Sequence, residues 1–98
     1  MNSNTVIYLL HDVPGVHGVH DKPEPERRKR FAERRSATRS EFYQAGTMGL
    51  MPSCVFVLSM AESYDDELRV EWHGKVYNVI RTYENENGGI ELTVQREG

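Results

Sequence analysis

Residues 68–95, LRVEWHGKVYNVIRTYENENGGIELTVQ, decide the fold class. Leu68, Val70 and Trp72 alternate with Arg69, Glu71 and His73, the period of a strand with one face turned to a core. His73-Gly74 then offers a two-residue hairpin turn, which needs positive φ: glycine adopts it freely, and His stands in for the more usual Asn. The chain returns through residues 76–83, with Tyr77, Val79, Arg81 and Tyr83 expected on one face. Residues 84–89, rich in Asn and Gly, make a second turn. Ile90, Leu92 and Val94 then alternate with Glu91, Thr93 and Gln95, the cleanest period of two in the chain. Three strands joined by short turns form a meander.

Working outward, CVFVLSM at residues 54–60 is nearly continuous apolar sequence, as in a strand covered on both sides or closed into a barrel. TVIYLL at residues 5–10 is β-branched and aromatic and too short for a stable helix, so it reads as a strand. Residues 26–37 have a helix-favouring composition, but only Phe31, Ala32 and Ala37 are apolar, so a helix there has no stripe to pack. An extended strand at a sheet edge, with long basic side chains on it, is the expectation. Between these strands, residues 38–50 predict a helix of at most two turns. Thr38 or Ser40 can cap it, Glu41 suits its first turn, and Gly46 or Gly49 can stop it in a left-handed turn. So short a helix does not stand alone in water, so something is expected to pack on Phe42 or Tyr43. About six strands result. The expected fold is mainly β, a small six-stranded barrel or sandwich over residues 1–98, with one short helix and a long loop after the first strand.

That loop spans residues 11–25 and exceeds the usual length of a connection, which marks it as functional or ordered only on binding. Its candidate residues run His11, Asp12, Val13, Pro14, Gly15, Val16, His17, Gly18, Val19, His20, Asp21 and Lys22. His11, His17 and His20 with Asp12 and Asp21 invite a metal reading. Their spacing is irregular and no rigid scaffold holds them, so no metal is expected.

With 98 residues the chain suits one domain, which buries roughly 60–70% of its unfolded surface. One cysteine, Cys54, forms no internal disulfide and gives no argument for secretion. It opens an apolar strand, where cysteine acts as a small core residue rather than a nucleophile. No apolar run reaches the roughly 18 residues of a membrane helix, and the N-terminus lacks a signal peptide's order, so a soluble intracellular protein is expected. Asp65, Asp66 and Glu67 cluster where a turn is expected, and acids are common in turns. No catalytic arrangement and no phosphate- or dinucleotide-binding fingerprint stands in the sequence. A protein without enzymatic activity or cofactor is expected.

Charge is strongly polarised. Residues 27–39 hold seven basic side chains (Arg27, Arg28, Lys29, Arg30, Arg34, Arg35 and Arg39) against one acid, Glu33. From Glu41 onward ten acids face four basic residues. A basic stretch on an acidic body serves nucleic acid, an acidic partner or complementary contact between copies; a solvated face is the plain alternative. Aromatic residues interleaved with this run are thin, with Phe31 alone, and no recognition helix follows, so primary DNA binding ranks below protein docking.

FAERRSATRSEFYQAG at residues 31–46, GLMPSCVFVL at 49–58, VEWHGKVYNVIRTY at 70–83 and IELTVQ at 90–95, in this order and spacing, resemble the head closure proteins of tailed bacteriophages, also called head–tail joining or stopper proteins. The likeness covers roughly two-thirds of the chain. It implies a small β-barrel or sandwich with one short helix, copies of which form a ring beneath the portal and adaptor. Such a ring closes the channel over packaged double-stranded DNA and offers a platform to the tail terminator or tail tube. The resemblance also implies that residues 11–25 project into the channel, and that the protein resides in the virion after assembly in the bacterial cytoplasm. Arg27, Arg28, Arg30, Arg34, Arg35, Arg39, Phe42 and Tyr43 are the candidate interface residues, the two aromatics because aromatic side chains dominate interface hot spots. Another connector ring (an adaptor or tail terminator) and a small nucleic-acid-binding barrel are the alternatives.

Overall fold

The computed structural model describes residues 4–11 and 25–97. Six strands, β1 (Thr5–His11), β2 (Glu26–Arg35), β3 (Cys54–Leu58), β4 (Arg69–Trp72), β5 (Lys75–Glu84) and β6 (Ile90–Arg96), close into an antiparallel barrel in the order β1-β2-β3-β6-β5-β4. Helix α1 (Arg39–Gly46) lies between β2 and β3, and a 3₁₀ turn (Ala61–Ser63) follows β3. The expected mainly-β fold is therefore a barrel rather than a sandwich.

The period-two pattern explains the core. Ile7 and Leu9 from β1, Cys54, Phe56 and Leu58 from β3, Val70, Tyr77, and the triplet Ile90, Leu92 and Val94 fill the interior. Phe56 is its centre: its ring lies 5.6 Å from Trp72 and 6.4 Å, edge-on, from Tyr77. Such offset and edge contacts satisfy the aromatic quadrupoles while burying large areas. Trp72 remains anchored at its polar end, where Nε1 donates to Thr5 Oγ1 at 2.8 Å. His73 and Gly74 take φ of 51° and 76°, as the tight β4–β5 turn requires, and the His73 ring stacks on Trp72 at 3.9 Å.

Four expectations change. First, β2 is an edge over only part of its length: it pairs with β1 from Thr5↔Ala32 to His11↔Glu26, and with β3 only from Glu33↔Val57 to Arg35↔Val55. Barrel closure removes the edge at the C-terminal end of β2. Second, Tyr77, Val79, Arg81 and Tyr83 do not share a face. The register slips between Val79 and Arg81, leaving Ile80 as the extra residue of a bulge, so Tyr77 and Val79 pack on the core while Arg81 and Tyr83 are exposed. Third, Leu68 is 70% exposed and outside β4, whereas Glu67 is only 3% exposed. Asp66 at φ 57° turns the chain just before the strand and breaks the alternation. Fourth, His11 closes β1, opposite Glu26, rather than opening the loop. Asp12, Val13, Pro14, Gly15, Val16, His17, Gly18, Val19, His20, Asp21 and Lys22 lie outside the described residues.

Candidate assembly interface

Helix α1 begins with a complete capping box. The Glu41 amide donates to Thr38 Oγ1 at 3.2 Å, and the Thr38 amide donates to Glu41 Oε1 at 2.8 Å. Thr38, not Ser40, is therefore the cap, and two of the free amides at the helix start are satisfied reciprocally. At the other end the Leu50 amide donates to the Ala45 carbonyl at 2.9 Å, and Gly49, with φ 75°, is the residue that turns left-handed.

What holds the helix against the barrel is charge. Arg35, near the end of β2, grips both oxygens of Glu41 at 3.0 and 3.2 Å and reaches Glu91 on β6 at 2.6 Å. The Arg35 guanidinium holds the Glu41 carboxyl well below the usual carboxylate range, at about 2, against the opposing effect of partial burial. Bonding to Glu41 in turn raises the Arg35 pKa. Arg81 of β5 adds a third tether, donating to Gln44 Oε1. Hydrogen bonds to ionised groups are the strong ones, and this fork geometry is the kind arginine forms best.

The packing expected on Phe42 or Tyr43 is not supplied by the barrel. No residue of α1 is buried; Phe42 is 47% and Tyr43 71% exposed. Met48 and Met51, in the turn after the helix, are exposed as well. The polar tethers replace apolar packing, which is why so short a helix persists. A groove of about 290 Å³ lies between α1 with its following turn and strands β5 and β6, lined by Ala45, Met48, Leu50 and Ile80 together with the polar Glu41, Gln44, Arg81 and Thr93. Aromatic and methionine side chains are thus exposed together on α1 and the segment after it, which makes this surface the candidate interface.

The basic run is spent largely inside the chain. Arg27 pairs with Glu71 at 2.8 Å and lies over the Tyr8 ring at 4.2 Å. Arg28 meets Glu26 at 3.2 Å and both Asp65 and Glu67 at 3.6 Å. Arg30 donates to the carbonyls of Ser63 and Lys29, each at 2.8 Å, and Arg34 sits 5.0 Å above the Trp72 ring. The polarity of the sequence thus closes partly within one barrel. Of the candidate basic residues, Arg39 lies beside Phe42 and Tyr43, lining a shallow cleft with them.

Sequence reasoning missed two groups. Glu67 is buried beside Arg28: its Oε1 accepts from the Asp65 amide at 2.6 Å, and its Oε2 has no hydrogen-bond partner. Nothing in a run of three acids singles out the buried one. Tyr8 was read only as a strand residue, yet it lies opposite Lys29 and adds a second aromatic ring beside the basic strand. Cys54 is buried in the core, which pushes its thiol pKa up despite Arg34 nearby. Among the described residues no three His, Cys, Asp or Glu side chains gather as a metal site, and no helix is long and apolar enough to cross a membrane. No model of a known protein family matches this chain, and no curated protein matches it.

Proposed function

We propose that the chain is a virion structural protein of a tailed phage, the head closure (stopper) ring of the head-to-tail connector. Copies of it sit between the portal or adaptor and the tail, help to retain packaged double-stranded DNA, and give the tail a platform. The observation that carries this reading is α1, a helix fixed to its barrel by a capping box and an Arg35–Glu41–Glu91 network while none of its residues is buried. A protein that folds only for itself gains little from an exposed Phe42 and Tyr43 on a rigid shoulder; a ring subunit gains an anchor for its neighbour. Rings use heterologous contacts, in which one patch meets a different patch of the next copy, and a single projecting element serves that geometry. The motif order along residues 31–95 points the same way. In this reading the subunits position and seal, and no bond is made or broken. Inactivating the gene in its phage is expected to leave packaged heads that lack tails and lose DNA. Heads that keep their DNA and join tails at the wild-type frequency overturn the proposal.

A further inference from the structure

The seam between β2 and the segment after β3 holds a different arrangement. Strand β2 pairs with β3 only at its C-terminal end, from Glu33↔Val57 to Arg35↔Val55. Earlier on β2, a cleft of about 400 Å³ opens between the strand and the following turn, lined by Lys29, Arg30, Phe31, Leu58, Ser59 and Ser63. Its walls are fixed. Arg30 Nε donates to the Ser63 carbonyl at 2.8 Å, the Ser63 amide donates to the Met60 carbonyl, and the Ala61 amide donates to the Gly88 carbonyl.

Phe31 stands at this cleft 62% exposed, with the Lys29 ammonium 5.3 Å from its ring centroid. Neither Lys29 nor Arg30 has a carboxylate partner among the described residues, unlike Arg27, Arg28 and Arg35. Arg30 spends Nε and Nη1 on carbonyl groups, which leaves Nη2 to donate. One strand over, Tyr8 stands opposite Lys29, its ring covered by the Arg27 guanidinium. Uncompensated cations, two serines and an open aromatic face therefore meet in one rigid pocket.

We infer that this cleft is a binding subsite for single-stranded nucleic acid. A base stacks on Phe31, and the adjoining phosphates take Lys29 and the free side of Arg30, with the serine hydroxyls at the rim. Stacking needs an unpaired base, because a duplex hides its π faces within the helix; the cleft therefore selects a single strand. The net charge of −3 does not oppose this, since a local patch sets the attraction within a Debye length. An acidic peptide satisfies the cations but leaves the phenyl ring without a partner. The inference does not depend on the ring-forming reading, because the site lies within one chain and does not use α1.

The test is fluorescence anisotropy of the full chain with a labelled oligothymidylate. The native protein is expected to bind it, with Phe31→Ala weakening binding about tenfold or more. Lys29→Gln is expected to lower the slope of log affinity against log salt by about 0.7, one phosphate contact on a single strand. Arg96→Gln, at the far end of β6, controls for charge alone and should change neither. Phe31→Ala should keep the native melting temperature, since its side chain is mostly exposed. Absence of binding, equal binding by Phe31→Ala, or equally good competition by duplex DNA or polyglutamate each overturns the inference.

Discussion

Strand β3 and helix α1 are near neighbours in sequence and opposites in construction. Cys54–Leu58 buries every side chain, whereas Arg39–Gly46 buries none. The strand is held by what it removes from water, and its energy is non-directional and large. The helix is held by a cap and a few charge-assisted hydrogen bonds, which are directional and individually modest. One region makes the fold. The other is displayed by the fold, and its apolar side chains remain available for something outside the chain.

The sharpest break in this contrast is Phe56→Ala. Phe56 is fully buried and touches the Trp72 and Tyr77 rings, so its removal leaves a cavity that six fixed strands cannot close. A loss of about 3–5 kcal/mol is expected, a large share of the roughly 5–15 kcal/mol that stabilises a domain of this size. Urea unfolding of the variant checks it; a loss below about 1 kcal/mol would contradict the assignment of Phe56 to the core centre.

The same contrast explains what was legible beforehand. Alternation at Ile90, Leu92 and Val94, and the apolar run at β3, predicted burial because burial repeats with the backbone period. The cap at Thr38 was legible as one of two choices, since capping is local chemistry. Three features were not legible, each for a physical reason. Ile80 bulges because β5 must curve around the barrel, a property of the closed sheet rather than of the residue. Glu67 goes inside and Leu68 outside because the left-handed Asp66 changes the phase of the chain, and nothing local announces that conformation. Arg35 bridges Glu41 and Glu91, a residue 56 positions away, and such a contact is invisible until the strands are paired. The opposed charges were apparent in the sequence. That they would meet within one chain was not.

A middle-sized effect is expected where the helix is tied down. Glu41→Gln keeps a capping acceptor but removes the charge that Arg35 grips, leaving Glu91 as the carboxylate paired with Arg35. A loss on the order of 1–2 kcal/mol at neutral pH is expected, because the pair is partly buried and only partly screened. The sign with pH follows from the depressed pKa. The Glu41 carboxyl sits at about 2 in the folded chain against an ordinary value of 4.5, so the unfolded chain binds the proton more readily. Its contribution is complete above pH 4.5, fades as pH falls toward 2, and is gone below that. Unfolding free energies of the native protein and Glu41→Gln should therefore converge as pH falls through this window. A difference that stays constant from pH 5 to about pH 2 would contradict the Arg35 grip.

The smallest effect on stability is expected at the most conspicuous side chains. Phe42→Ala and Tyr43→Ala remove large apolar groups from a helix that packs neither of them into the barrel, so each should change unfolding free energy by no more than about 0.5 kcal/mol. Their assembly phenotype should be the reverse: heads carrying the double variant should fail to recruit or retain the subunit, since truncating a central aromatic anchor typically costs about 2 kcal/mol or more at an interface. The pairing of the two measurements is what discriminates. If stability falls with assembly, the aromatics support the helix and the display account of α1 is wrong. If neither changes, the exposed rings are merely solvated and the proposed contact lies elsewhere. Unchanged melting with lost assembly is the result expected of a helix that the barrel holds out for a neighbour.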